Sequence, residues 1–88
     1  SPQYVISQSV HLEISQSIER DELLEKLVTI GYERVDQVEQ RGHFSVRGDI
    51  FDIFPVNSDD PIRMEFFGDE IDTMRHFSVD TQRSIETV

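Results

Sequence analysis

The sequence predicts an α+β fold, a mostly antiparallel sheet of about five or six short strands with one amphipathic helix packed on one face. Three observations predict it. One segment places apolar residues at helical spacing, the remaining apolar residues alternate with polar ones or form short runs, and glycine- and proline-bearing breaks separate those runs every few residues.

In chain order, Tyr4-Val5-Ile6 is a short apolar patch whose state the pattern leaves open. Val10, Leu12 and Ile14 alternate with His11, Glu13 and Ser15, the period-two signature of a half-buried strand. Leu23, Leu24, Leu27, Val28 and Ile30 then fall at helical spacing and predict a helix over about residues 20–30. Asp21 and Glu22 suit the positive end of its dipole, and Gly31 supplies the left-handed stop. Ser17 is the candidate cap, but the full capping box is missing because Arg20 stands where Glu or Gln belongs. Beyond Gly31 the pattern turns to strands: moderately over 32–38, clearly over 44–47, 50–54 and 62–67, and more weakly over 71–79. Arg41-Gly42, Arg47-Gly48-Asp49, residues 55–61 and Gly68-Asp69 break them. Short sequential strands imply mostly antiparallel pairing. Opening at Ser1-Pro2 without a leader and closing on Ile85-Glu86-Thr87-Val88 in apparent structure, the chain reads as one domain over 1–88 excised from a longer protein.

With 88 residues there is room for one core, which excludes a two-lobed enzyme with a cleft between domains. The 36% hydrophobic content is lean, yet Phe, Ile and Val are too frequent for a disordered chain. Eighteen acids against eight Lys and Arg give a formal charge of -10, so direct nucleic-acid binding is disfavoured, because phosphate contacts rest on cations. All of those cations but Lys26 are arginine, whose planar fork suits buried or interfacial carboxylate pairs; compositional bias is the competing explanation. The absence of cysteine removes disulfides and thiolate chemistry and fits a cytoplasmic location. No run of about 18 apolar residues is present to span a membrane.

Catalytic and cofactor motifs are missing: there is no glycine-rich phosphate loop, no nucleophile elbow and no His-x-x-x-His. His11, His43 and His76 lie on separate elements and read as solvated or edge residues rather than a metal trio. Asp69-Glu70-Ile71-Asp72 lacks the ligand spacing of a calcium loop and reads as a solvated turn. No metal or cofactor is therefore expected, and no enzymatic activity.

The stretch Ile62-Arg63-Met64-Glu65-Phe66-Phe67 is the most informative. On a strand, Ile62, Met64 and Phe66 face the core while Arg63, Glu65 and Phe67 face outward, an arginine–aromatic mixture characteristic of interface hot spots. By the same alternation Phe44 and Val46 point inward, and Ser45 and Arg47 outward. If the two strands lie close, Arg47, Arg63 and Phe67 form one patch that favours an acidic protein surface. The competing reading puts Phe67 under a loop and pairs Arg63 with Glu65 or with an acid on a neighbouring strand.

The strings Tyr32-Glu33-Arg34-Val35-Asp36-Gln37-Val38, Arg41-Gly42, Val46-Arg47-Gly48-Asp49-Ile50, Asp52-Ile53-Phe54-Pro55, Arg63-Met64-Glu65-Phe66-Phe67-Gly68-Asp69-Glu70-Ile71 and Phe77-Ser78-Val79-Asp80-Thr81-Gln82-Arg83-Ser84 closely resemble the bacterial transcription-repair coupling factors (Mfd). The resemblance covers about residues 20–88, and it is the combination that is specific. The repair protein UvrB is similar across Arg47-Gly48-Asp49 to Glu70-Ile71, whereas Val35-Asp36-Gln37-Val38 and Asp80-Thr81-Gln82-Arg83 look like the coupling factors. The resemblance implies a UvrB-like module that docks UvrA, the damage-recognising ATPase of excision repair, within a parent that also carries an RNA-polymerase-binding domain and an ATP-driven DNA translocase. No motor motif occurs in this chain.

Carried over residue by residue, the implied UvrA contacts are Arg47, Arg63 and Phe67, with Glu65 as a fourth by its match to UvrB. Ser45 stands where UvrB often has a further arginine. The resemblance also implies that other domains of the parent cover the patch until it changes conformation. The expected function is thus a non-enzymatic docking module for UvrA in transcription-coupled repair. The alternatives are a purely structural spacer of the same protein and a nucleic-acid-contacting module using the arginine face.

Overall fold

The computed structural model describes residues 3–87, with the side chains of residues 84, 86 and 87 left aside. Ser1, Pro2 and Val88, which the sequence reading touched on, lie outside the described residues. The elements are β1 (Gln3–Val5), β2 (His11–Glu13), α1 (Arg20–Thr29), β3 (Glu33–Arg34), β4 (His43–Arg47), β5 (Ile50–Ile53), β6 (Ile62–Phe67), β7 (Glu70–Phe77) and β8 (Ser84–Thr87). Strands β3 to β8 form one sheet in sequence order, and β1 and β2 form a separate antiparallel pair. Within the large sheet every pairing is antiparallel except β3 with β4. The molecule is a small α+β fold.

The helix covers the expected span, and its apolar side buries Leu23 and Leu27 completely. Its cap is Glu19 and not Ser17. The Glu19 carboxylate accepts hydrogen bonds from the backbone N–H groups of Asp21 and Glu22, satisfying two donors that have no partner inside the helix. Ser17 instead forms an isolated bridge to Glu70, and the 15–18 segment hydrogen-bonds along the start of β7, which ties the amino-terminal part to the sheet. Gly31 ends the helix at φ +100°. Val28, expected on the apolar face, is exposed.

Two hairpins set the register that matters below. Arg47 pairs with Ile50 around Gly48-Asp49, and Phe67 pairs with Glu70 around Gly68-Asp69. Each turn has its glycine first, at φ +58° and +63°, the backbone that a type II′ hairpin requires and that an L side chain resists. A bulge beside Glu65 and Phe66 leaves Asp72 as the extra residue of β7.

The main core joins Leu23 and Leu27 of α1 to Phe44, Phe51, Ile53, Ile62, Met64, Phe66, Ile71 and Met74 of the sheet, with Val10 and Leu12. A smaller cluster of Val38, Phe54 and Phe77, flanked by Val35 and Val79, lies apart from it. Among the described residues no helix is long and apolar enough to cross a membrane, and no group of three His, Cys, Asp or Glu side chains is arranged to hold a metal.

Candidate protein-docking face

Because side chains alternate across a strand, the residues opposite the main core share the second side of the sheet. The hairpin register aligns them in two rows. Ser45, Asp52, Arg63 and Arg75 form one row across β4 to β7, and Arg47, Ile50, Glu65 and Thr73 form the next. Phe67 follows two residues beyond Glu65, opposite Glu70. Arg47, Arg63, Glu65 and Phe67 therefore lie on one side of the sheet, with Arg47 two strands, or about 10 Å, from β6.

They are not equally accessible. Phe67 is 81% exposed, against the competing expectation of a ring under a loop. The Arg47 side chain is 63% exposed. Glu65 is exposed and accepts a hydrogen bond from the Thr73 hydroxyl at 3.2 Å.

Arg63 departs from the expectation of a solvent-facing guanidinium: its side chain is 16% exposed. Its Nε and Nη2 donate to the two carboxylate oxygens of Asp52 at 2.8 and 2.9 Å, its Nη1 donates to the Gln82 carbonyl at 2.9 Å, and its plane lies 4.5 Å over the Phe77 ring. Alternation put Arg63 on the correct side of the sheet but could not show that this part of the side is roofed. The second apolar cluster and the 78–83 loop close over it. Gln82 is held there at φ +60°, with its amide donating to the carbonyls of Val38 and Val79. Ser45, expected to face outward, is 3% exposed.

Asp52 is the residue that sequence reasoning missed. It is 2% exposed, and its Oδ2 also lies 3.9 Å from Arg47 Nη2, so one buried carboxylate faces two arginines. A buried carboxylate is tolerable only when paired. The hydrogen bond from Arg63 to Asp52, aided by the attraction of Asp52 and Glu65, holds the guanidinium charged beyond arginine's ordinary range despite its burial. An acid alternating with Phe51 and Ile53 inside an apolar run was the available signal, since it requires a cation on an adjacent strand. Ile50, half-exposed between Arg47 and Glu65, was likewise unassigned.

The face thus combines an exposed ring, an exposed cation and an exposed carboxylate on one side of the sheet. Such a surface can seat a ring in an apolar hollow of another protein while its charges fix orientation.

The family described as "UvrB interaction domain" matches residues 10–88. The chain is similar to the transcription-repair-coupling factor of Bacillus subtilis (strain 168), at 46% identity over 82 residues covering 93% of this chain and 7% of that protein. It is similar to the Escherichia coli (strain K12) transcription-repair-coupling factor at 47% over 73 residues, covering 83% of this chain and 6% of that protein. It is also similar to the UvrABC system protein B of Levilactobacillus brevis, at 55% over 67 residues covering 75% and 10%. The chain spans a tenth or less of the length of these relatives.

Proposed function

The chain belongs to the UvrB interaction domain family, and from that premise we propose that it is the UvrA-docking module of a transcription-repair coupling factor. A domain of this family is a protein-interaction module and not a catalytic one. In this reading the 88 residues act as one unit. The helix covers the inner side of the sheet through Leu23 and Leu27, and the outer side meets UvrA through Phe67, Arg47 and Glu65, with Arg63 at its edge. Recognition of stalled RNA polymerase and DNA translocation belong to other parts of the longer parent, and this domain brings the repair ATPase to them.

The observation that carries the reading is Phe67. A phenylalanine left 81% exposed forgoes the burial that would stabilise the fold by about 1.5–3 kcal/mol, and a partner that covers it recovers that energy. Arg47, two strands away on the same side of the sheet, supplies orientation toward an acidic neighbour. The spacer alternative has on its side the internal pairing of Arg63 and the looser approach of Arg47 to the same carboxylate, but it leaves the exposed ring without a purpose. Titrating the chain into purified UvrA tests the proposal. Phe67→Ala is expected to weaken binding by about 1–3 kcal/mol while leaving the melting temperature within a few degrees of the parent. Unchanged affinity in that variant contradicts it.

A further inference from the structure

We propose that Arg63 serves docking as a positioning residue rather than as a contact, and that it does so jointly with Asp52, whose buried carboxylate holds both arginines of the face in place. This rests on the docking reading above and specifies how that face is built.

Three N–H groups of Arg63 are committed to Asp52 and Gln82, and its plane is fixed over Phe77, so its fork is already aimed into the protein. With the side chain 16% exposed, little of it is left to meet a second surface. Asp52 itself, 2% exposed, cannot be touched by a partner. Its Oδ2 lies 3.9 Å from Arg47 Nη2, too long for a hydrogen bond but close enough for attraction between charges in a partly desolvated site.

The charges then divide unequally. Arg63 neutralises Asp52 through a two-pronged contact, and Arg47 remains the cation on offer beside the Glu65 carboxylate. Removing Arg63 leaves a buried carboxylate uncompensated, and the nearest cation able to answer it is Arg47. Arg47 is drawn inward, and the face loses the exposed guanidinium beside Ile50. Loss of docking in an Arg63 variant is therefore transmitted through Arg47.

The experiment compares UvrA affinity and the Arg47 Nε–H NMR resonance in the parent, Asp52→Asn, Arg63→Gln and the double variant, at a temperature where each is folded. Asp52→Asn is expected to weaken affinity about 3- to 10-fold and to shift the Arg47 resonance, with the double variant no weaker than the worse single one. Unchanged or tighter binding by Asp52→Asn beside weakened binding by Arg63→Gln would show that Arg63 touches UvrA directly and would overturn the proposal. So would two losses that multiply in the double variant. Should Asp52→Asn fail to fold, Arg63→Lys replaces it: one ammonium cannot span both Asp52 oxygens and the Gln82 carbonyl, so a loss equal to that of Arg63→Gln is expected, and retained affinity would contradict the account. If the parent chain does not bind UvrA, the docking reading falls, while the Arg47 resonance still reports whether Asp52 positions that side chain.

Discussion

Three arginines of this chain meet the same requirement in the same way. Arg20 donates to Asp49 and to the Gly48 carbonyl with its guanidinium 5.2 Å from the Phe51 ring and 5.8 Å from that of Phe66. Arg41 donates to Asp59 and the Ser58 carbonyl and lies 5.7 Å from Phe54. Arg63 repeats the pattern with Asp52, Gln82 and Phe77. Each needs a flat cation that stacks on a ring and donates in its own plane, which lysine cannot supply. The excess of arginine is thus partly structural, as its chemistry suggested, but composition could not say which arginines were engaged within the molecule. Burial separates their energies. Arg63→Ala is expected to cost about 3–5 kcal/mol in urea denaturation by stranding Asp52, whereas Arg41→Ala should cost less than about 1 kcal/mol. Arg47→Ala should remain within about 0.5 kcal/mol of the parent, because its side chain is 63% exposed and approaches Asp52 no closer than 3.9 Å. Since the Arg63 pair raises the folded-state value, its stabilisation is present below arginine's unfolded value and is lost only as pH rises past the folded one. Stability measured up to about pH 10 should therefore show no loss of this pair.

At the scale of elements, turns were the most legible feature and strand partners the least. Gly48 and Gly68 marked both hairpins because the backbone they adopt penalises any side chain. Strand β6 was readable end to end, since its inner side is fully buried and its outer side is not. The 32–38 stretch shrinks to the two residues of β3, paired parallel to β4, because Val35 and Val38 turn into the second cluster instead of continuing the ladder. Strands β1 and β8 exceeded the expected count for a related reason: each is short and defined by its partner rather than by its own periodicity. The helix cap was misplaced because Glu is an uncommon cap and Ser a common one, so local preference pointed two residues too early. Glu19→Ala should cost about 0.5–2 kcal/mol by thermal melting. At Gly48 a Cβ would meet nothing within 4 Å, so Gly48→Ala should cost only the strain of a positive-φ backbone, about 1–3 kcal/mol.

For the whole molecule, the decisive property is that the two sides of one sheet are treated differently. One side is closed by the main core; the other is roofed over the Asp52–Arg63 row and open over the row of Arg47, Ile50 and Glu65. Alternation placed Arg47, Arg63, Glu65 and Phe67 on the same side, and hairpin register sets Arg47 two strands from the other three. It could not reveal the roof, which is built from the irregular 35–38 and 78–83 segments, where strand alternation gives no signal. An overall charge of -10 also makes the open cation at Arg47 a local exception, suited to an acidic protein surface more than to phosphates. The most direct test is to map backbone amide shifts in the labelled chain as purified UvrA is added. Changes centred on Arg47, Ile50, Glu65 and Phe67, with the helix residues Leu24 and Val28 unaffected, are the expected result. Changes centred on the helix, or none as UvrA is added to a large excess, would contradict the docking face.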